Sequence, residues 1–269
     1  MASIFLPRSI RIGGGVIAEL PAALAQFGLG APAILTDPFL AQNGTLDRLL
    51  AILADAGIAA RAYCDVISDP TVASVEAARD FVAEAAHDCV IALGGGSPID
   101  TAKAVAVLAA RGGTMRERKV PHQEDGPALP IVAIPTTAGT GSEATRVTVI
   151  TDEANDEKML CAGLAYLPTI AIVDYELTLT KPLRLTADTG IDALTHAIEA
   201  YVSRLANPFS DGMALAAMRA IWPNLRTACA EPGNRAAREA MMAGSLQAGI
   251  AFSNASVALV HGMSRPIGA

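Results

Sequence analysis

The sequence predicts an α/β domain built on a parallel sheet over residues 1–181, followed by an all-α helical domain over residues 182–269. Three observations predict it. Short β-branched runs alternate with helical stretches as far as Ile134, which is the rhythm of an open parallel sheet with helices on both faces. From about Leu185 onward only helical patterns remain. The 269 residues are 52% hydrophobic but only 4% aromatic. The core must therefore be made of Ala, Val, Ile and Leu, the residues of strands buried on both faces.

The elements follow in order. A strand is expected over 32–36 (PAILT) and a helix over 38–55, then a strand over 61–66 and a helix over 72–87. CVIAL (89–93) reads as a buried strand backed by a helix over 99–110, and PIVAI (130–134) as another. Between these two, residues 111–126 are charged and Gly-rich and read as a surface excursion. Residues 146–151 and 169–173 have strand character, with 158–161 as a partner between them. The helical part is expected over 187–204, 210–228, 235–253 and from 256 onward, with the domain boundary near 180–183, where Pro182 interrupts.

Charge and composition exclude several classes. A net charge of −7 argues against nucleic acid or an anionic membrane as partner. Residues 240–264 carry no formal charge and are long enough to span a bilayer. They nevertheless contain Ser245, Gln247, Ser253, Asn254, Ser256 and His261, which suits a buried helix better than a membrane span. The N-terminus has no signal-peptide core, and Cys64, Cys89, Cys161 and Cys229 form no CxxC pair. Reduced thiols in a cytoplasmic protein are expected.

Two loops invite a nucleotide. CVIAL runs into Gly94-Gly95-Gly96-Ser97-Pro98 ahead of a helix. Glycines there let the backbone approach a pyrophosphate, and free N–H groups at the helix start supply positive potential. The dinucleotide pattern GxGxxG is incomplete, because position 99 is Ile. A tight strand-to-helix turn would use the same residues. Asp37, directly after PAILT, suits an adenosine ribose and would repel a 2′-phosphate, although Asp37-Pro38 is equally the grammar of a helix N-cap. A second loop, from Thr136 to Ser142, crowds hydroxyls and glycines directly after the PIVAI strand. Ligands of open α/β sheets bind outside the carboxyl ends of the strands.

One further spacing concerns a metal. Asp192 and His196 are i and i+4 on the expected helix and project from one face, with Glu199 one turn later. A helix-surface pair has the same spacing. His261 sits in an apolar helical stretch, where an imidazole needs a hydrogen bond or a metal. His87 and His122 have no such company.

Taken together, GGGSPIDTAKA, IPTTAGTGSEAT, ADTGIDALTHAIEAYVS and VHGMSRPIGA resemble four successive signature blocks of the iron-containing (group III) alcohol dehydrogenases. The resemblance extends over nearly the whole chain. It implies a Rossmann-like NAD-binding domain followed by a helical metal-binding domain that is incomplete at Ala269. It implies that Gly95, Gly96 and Ser97 form the pyrophosphate loop, with Asp100 at its end as a further cofactor-binding residue, and that Thr136, Thr137, Thr140 and Ser142 form the second cofactor loop. Lys158 matches a lysine that reaches the cofactor ribose, and Asp37 the acid that favours NAD over NADP. Asp192, His196 and His261 match three of four ligands to Fe²⁺, or Zn²⁺ in some members, and they are the expected catalytic centre. The fourth ligand, a histidine in a Pro-His-Gly context, would follow Ala269. A second histidine common in the family is Arg265 here, and an asparagine common before Pro70 is Asp69.

The implied activity is metal-assisted hydride transfer between an alcohol, or an aldehyde or ketone, and NAD. Family members are commonly dimers or larger. Two other activities stay open: a nucleotide-binding chain without catalysis, and a maleylacetate-reductase-like or hydroxyacid–oxoacid transhydrogenase reaction.

Overall fold

A computed structural model describes residues 2–267, the side chain of Arg265 excepted. The expectation placed on Arg265, and the last two residues of the VHGMSRPIGA block, lie outside the described residues.

The chain begins with β1 (Ser9–Ile12), α1 (Leu20–Gln26), β2 (Pro32–Thr36), α2 (Pro38–Gln42), α3 (Thr45–Asp55) and β3 (Arg61–Tyr63). It continues through α4 (Val72–Ala83), β4 (Cys89–Gly94), α5 (Gly96–Arg111), β5 (Ile131–Pro135), β6 (Val147–Asp152), β7 (Glu157–Ala162) and β8 (Ile170–Val173). The last four elements are α6 (Leu183–Val202), α7 (Pro208–Ala230), α8 (Arg235–Ala255) and α9 (Leu259–Ile267). An α/β part is thus followed by helices alone, as the patterning predicts. No helix among the described residues is long and apolar enough to cross a membrane.

Six strands form one sheet in the order β1-β8-β5-β4-β2-β3, parallel throughout. Every residue of β2, β4, β5 and β8 is buried, which is why these strands read as unbroken apolar runs. One face packs Leu35, Val90, Ala92 and Ala133 against α4 and α5. The other packs Ile34, Ile91, Leu93 and Ile134 against α1 and α3. From β2 the winding runs outward to β3. It then returns to β4 on the other side of β2 and proceeds to β5 and β8. The direction reverses between β2 and β4, so a crevice opens at their carboxyl ends, where Asp37 and the Gly94–Gly96 turn lie.

Several expectations are corrected. The single helix over 38–55 is two helices, because Gly44 takes φ +84° and restarts the chain. β1 and α1 have no counterpart in the sequence reading. The expected strand over 61–66 pairs only as far as Tyr63. The expected partner strand over 158–161 does pair with 146–151, as the antiparallel hairpin β6–β7, which stands apart from the six-stranded sheet. The excursion after α5 is more than surface, because Met115, Arg118 and Glu124 are buried, and Arg118 and Glu124 are ion-paired.

α6, α7 and α8 pack around Ala193, Ala197, Ala217 and Ala248, whose small side chains let the axes approach, with Ile221 and Met241 filling the space between them. α8 also docks onto the α/β part at a backbone-to-backbone contact. A Cβ on Gly249 would lie 2.5 Å from the carbonyl oxygen of Gly141, a residue of the second candidate cofactor loop with φ +60°. Helix propensity alone would favour Gly249→Ala by about 1 kcal/mol. Overpacking costs about 1–3 kcal/mol, and backbone atoms cannot rotate aside as a side chain can, so the steric effect prevails. Gly249→Ala is expected to lower Tm by several degrees in a thermal melt, at about 2–4 °C per kcal/mol. An unchanged or higher Tm would show that this contact is slack.

Candidate active site

The nucleotide half is built at the switch point. β2 delivers Asp37, whose Oδ1 accepts a hydrogen bond from Leu40 N–H at 2.9 Å and so caps α2. The capping reading of Asp37 therefore holds; its bearing on cofactor choice is a separate matter. β4 ends at Gly94, which takes φ +154° and lies so close to Pro98 that no side chain fits. α5 begins at Gly96 with Gly95 as N-cap and no side-chain cap, leaving its first N–H groups free for an anion.

The two loops meet side by side. Thr136 N–H donates to Gly94 O at 2.9 Å. A Cβ on Gly95 would stand 3.3 Å from Thr137 Oγ1, and one on Gly96 3.0 Å from Thr140 Cγ2. Ser142 N–H donates to Thr140 Oγ1 at 3.3 Å. Across the crevice, Lys158 Nζ donates to Asp69 Oδ1 at 2.6 Å, and Asp69 N–H donates to Ser97 Oγ at 3.3 Å. Asp69 adopts φ +50°, a left-handed conformation that favours Asn, Asp and Gly.

Asp100 Oδ2 accepts from Val149 N–H at 3.1 Å. One turn on, Lys103 is fully buried and donates to Thr145 O, Thr145 Oγ1 and Val147 O, each at 2.8 Å. Burial pushes Asp100 up and Lys103 down, and each charge restrains the other's shift. Glu143 is also buried, and burial pushes its carboxyl up to about 7. Sequence reasoning missed Lys103 and Glu143. The i, i+3 spacing of Asp100 and Lys103 was the available signal.

Glu143 carries a pH prediction. Its carboxyl rises from 4.5 in the unfolded chain to about 7 in the fold, so the folded state holds the proton more tightly. That contribution is complete below about pH 4.5 and is lost as pH rises through 7, a change of about 3 kcal/mol. Glu143→Gln is expected to raise Tm at pH 8 by several degrees, with the gain fading toward pH 5. A pH-independent difference between the two melting curves would contradict it.

The metal half lies on α6 and α9. Asp192, His196 and Glu199 share one face of α6, and His261 comes from α9. His196 is buried and stacked between the Phe252 ring (centroids 4.3 Å apart) and the His261 ring (4.1 Å). Burial pulls the His196 imidazole down to about 4, so it is neutral near pH 7. His261 Nε2 is 3.2 Å from Asp192 Oδ1, and its Nδ1 pairs with Glu199. Burial alone would lower the His261 value, but the hydrogen bonds to Asp192 and Glu199 leave it raised.

A cation fits this constellation. Among the described residues, His196 Nδ1 is buried without a hydrogen-bond partner. One ligand atom each from Asp192, His196 and His261 lies within 4.8 Å of the others, a span that one ion with bonds of about 2.1 Å can bridge after small adjustments. Two imidazoles and a carboxylate suit Fe²⁺ or Zn²⁺.

Both halves open into one cavity of about 730 Å³. Gly96, Ser97, Asp100, Thr140, Ser142 and Lys158 line it from the nucleotide side, and Asp192, His196 and His261 from the other. Four expected residues are not on its wall. Asp37, Gly95 and Thr136 are not among the residues that line it, and Thr137 borders a small void with Thr178, Lys181 and Arg238. Arg146, Phe252 and Asn254 line the cavity without having been expected there.

Residues 7–175 match the family model described as iron-containing alcohol dehydrogenase, and residues 186–269 match that of the Fe-containing alcohol dehydrogenase family, C-terminal. The chain belongs to the iron-containing alcohol dehydrogenase family. It is 40% identical over 268 residues to an NAD-dependent methanol dehydrogenase of Bacillus methanolicus, covering 100% of this chain and 70% of that one. It is 40% identical over 271 residues to long-chain-alcohol dehydrogenase 1 of Geobacillus thermodenitrificans, covering 100% and 68%. Among solved structures it is similar to the sulfoacetaldehyde reductase of Bifidobacterium kashiwanohense in complex with NAD⁺, with a TM-score of 0.93, 33% identity and coverage of 99% and 71%.

Proposed function

We propose that this chain acts as an NAD-linked, divalent-metal-assisted alcohol dehydrogenase that also reduces aldehydes or ketones. The observation that carries the reading is the single cavity with a glycine-rich helix start at one end and a two-histidine, one-carboxylate set at the other. The N–H groups of Gly95, Gly96 and Ser97 bind the pyrophosphate. Thr136, Thr137, Thr140 and Ser142 position the nicotinamide end. Lys158 leaves Asp69 to reach a ribose. Asp192, His196 and His261 hold Fe²⁺ or Zn²⁺. A bound cation supplies Lewis acidity to an alcohol or carbonyl oxygen, and NAD supplies the hydride acceptor. The Phe252 ring, stacked on His196, keeps water off the protein side of that ligand. The free thiols support a cytoplasmic setting, and the family supports a homodimer.

The experiment is NADH oxidation with short aldehydes after chelation and again after Fe²⁺ is restored. Turnover should vanish and return with the metal. NADH binding without turnover would reduce the chain to a nucleotide-binding protein. The same assay tests Asp37. Asp37→Ser keeps a good N-cap but removes the charge facing a 2′-phosphate, and is expected to narrow the preference for NAD over NADP at least about tenfold, or ~1.4 kcal/mol. An unchanged ratio would leave Asp37 as a cap alone.

A further inference from the structure

We propose that Glu199 is the positioning residue of the metal centre: it fixes both the ring orientation and the tautomer of His261, so that Nε2 faces the cation. The inference rests on the metal reading above and adds a residue to it. Glu199 lies seven residues after Asp192 and three after His196, on the same face of α6, and is 4% exposed. Such a carboxylate is costly to bury unless hydrogen bonds compensate it. Among the described residues, its hydrogen bonds go to α9. Oε1 accepts from Val260 N–H at 2.6 Å, and Oε2 from His261 N–H at 3.4 Å and from His261 Nδ1.

Two things follow. The first N–H groups of α9, which have no partner within their own helix, are capped by a side chain from α6. The helix that carries the third ligand is thereby fixed to the helix that carries the first two. The bond to Nδ1 also keeps a proton on that nitrogen and leaves Nε2 as the ligating atom, 3.2 Å from Asp192 Oδ1. Glu199 is not itself a ligand in this arrangement, since both of its oxygens face α9.

A purely structural cap and a positioning residue separate in the variant Glu199→Gln. Its amide oxygen still accepts from Val260 N–H, but it no longer holds the charge that anchors the Nδ1 proton. Zn²⁺ affinity is measured by equilibrium dialysis on the 269-residue chain, beside the Tm of the metal-free protein and NADH fluorescence. Glu199→Gln is expected to lose roughly 10- to 100-fold in Zn²⁺ affinity, with NADH binding and metal-free Tm close to wild type. Wild-type Zn²⁺ affinity in the variant would overturn the inference while leaving the metal site standing. If the wild-type chain binds no Zn²⁺, or Asp192→Ala binds it as well as wild type, the metal reading falls and this inference with it.

Should Glu199→Gln fail to fold, imidazole nitrogen NMR of the Zn²⁺-loaded wild type decides the same point. His261 protonated at Nδ1 and metal-bound at Nε2 is expected. The opposite tautomer overturns the proposal.

Discussion

Asp192→Ala is expected to abolish stoichiometric metal binding and to lower NADH-dependent aldehyde reduction by well over 100-fold, since even loss of a residue behind a metal ligand typically costs 10- to 100-fold. Asp192 would supply the one carboxylate of the proposed three-ligand set. Its Oδ1 is 3.2 Å from His261 Nε2 and its Oδ2 3.8 Å from His196 Nδ1, so it connects the two rings. Without it, two stacked imidazoles remain with no carboxylate facing the cation, since the oxygens of Glu199 are turned to α9. The side chain is 37% exposed and fills no core space, so the metal-free fold should melt near the wild-type temperature. Metal analysis after dialysis, with NADH fluorescence as the control for the other half of the cleft, reads the effect. A variant that keeps its metal and its rate would remove Asp192 from the site.

The second large effect is expected at the glycine loop. A Cβ on Gly96 already comes to 3.0 Å from Thr140 Cγ2, and the two methyls of Val would crowd the space between the loops where the pyrophosphate is proposed to bind. Overpacking of this kind costs about 1–3 kcal/mol, which on binding corresponds to roughly 5- to 150-fold. Gly96→Val is therefore expected to weaken NADH binding by that factor and to leave Zn²⁺ binding intact, since the ligands lie on α6 and α9. Loss of metal and nucleotide together would point to a folding defect. An unchanged NADH affinity would mean that the cofactor does not use this loop.

How much of this was legible in the sequence depends on how local the signal was. Strands buried on both faces, such as Cys89–Gly94 and Ile131–Pro135, read as apolar runs because both of their faces are covered. The Asp192/His196 pair was legible because one helix turn sets its geometry. β1 was not, since its four residues become a strand by pairing with Ile170–Val173, some 160 positions away. The break at Gly44 was legible in principle, from Asn43-Gly44, but the apolar spacing on either side concealed it.

The remaining site features depend on tertiary contacts. The family resemblance marked Asp100 and Lys158 for the cofactor. It gave no sign that Asp100 also bonds the backbone of β6, or that Lys158 pairs with Asp69 across 89 positions. Lys103 and Glu143 carry charges that composition assigns to the surface, and only the packing of β6 and the second loop over α5 buries them. Glu199 was visible as a neighbour of His196, but its partners on α9 lie more than 60 residues away.

The central claim is that hydride passes within one cleft between nicotinamide and a substrate oxidised or reduced beside the three-ligand metal set. The most direct test is to incubate the Fe²⁺-loaded chain with NADH deuterated at both C4 positions and a short aldehyde, and to read the alcohol by mass spectrometry. The account predicts one deuterium on the carbinol carbon of each alcohol formed, and no alcohol once the metal is chelated. Alcohol without deuterium, or deuterium transfer that persists after chelation, would contradict it.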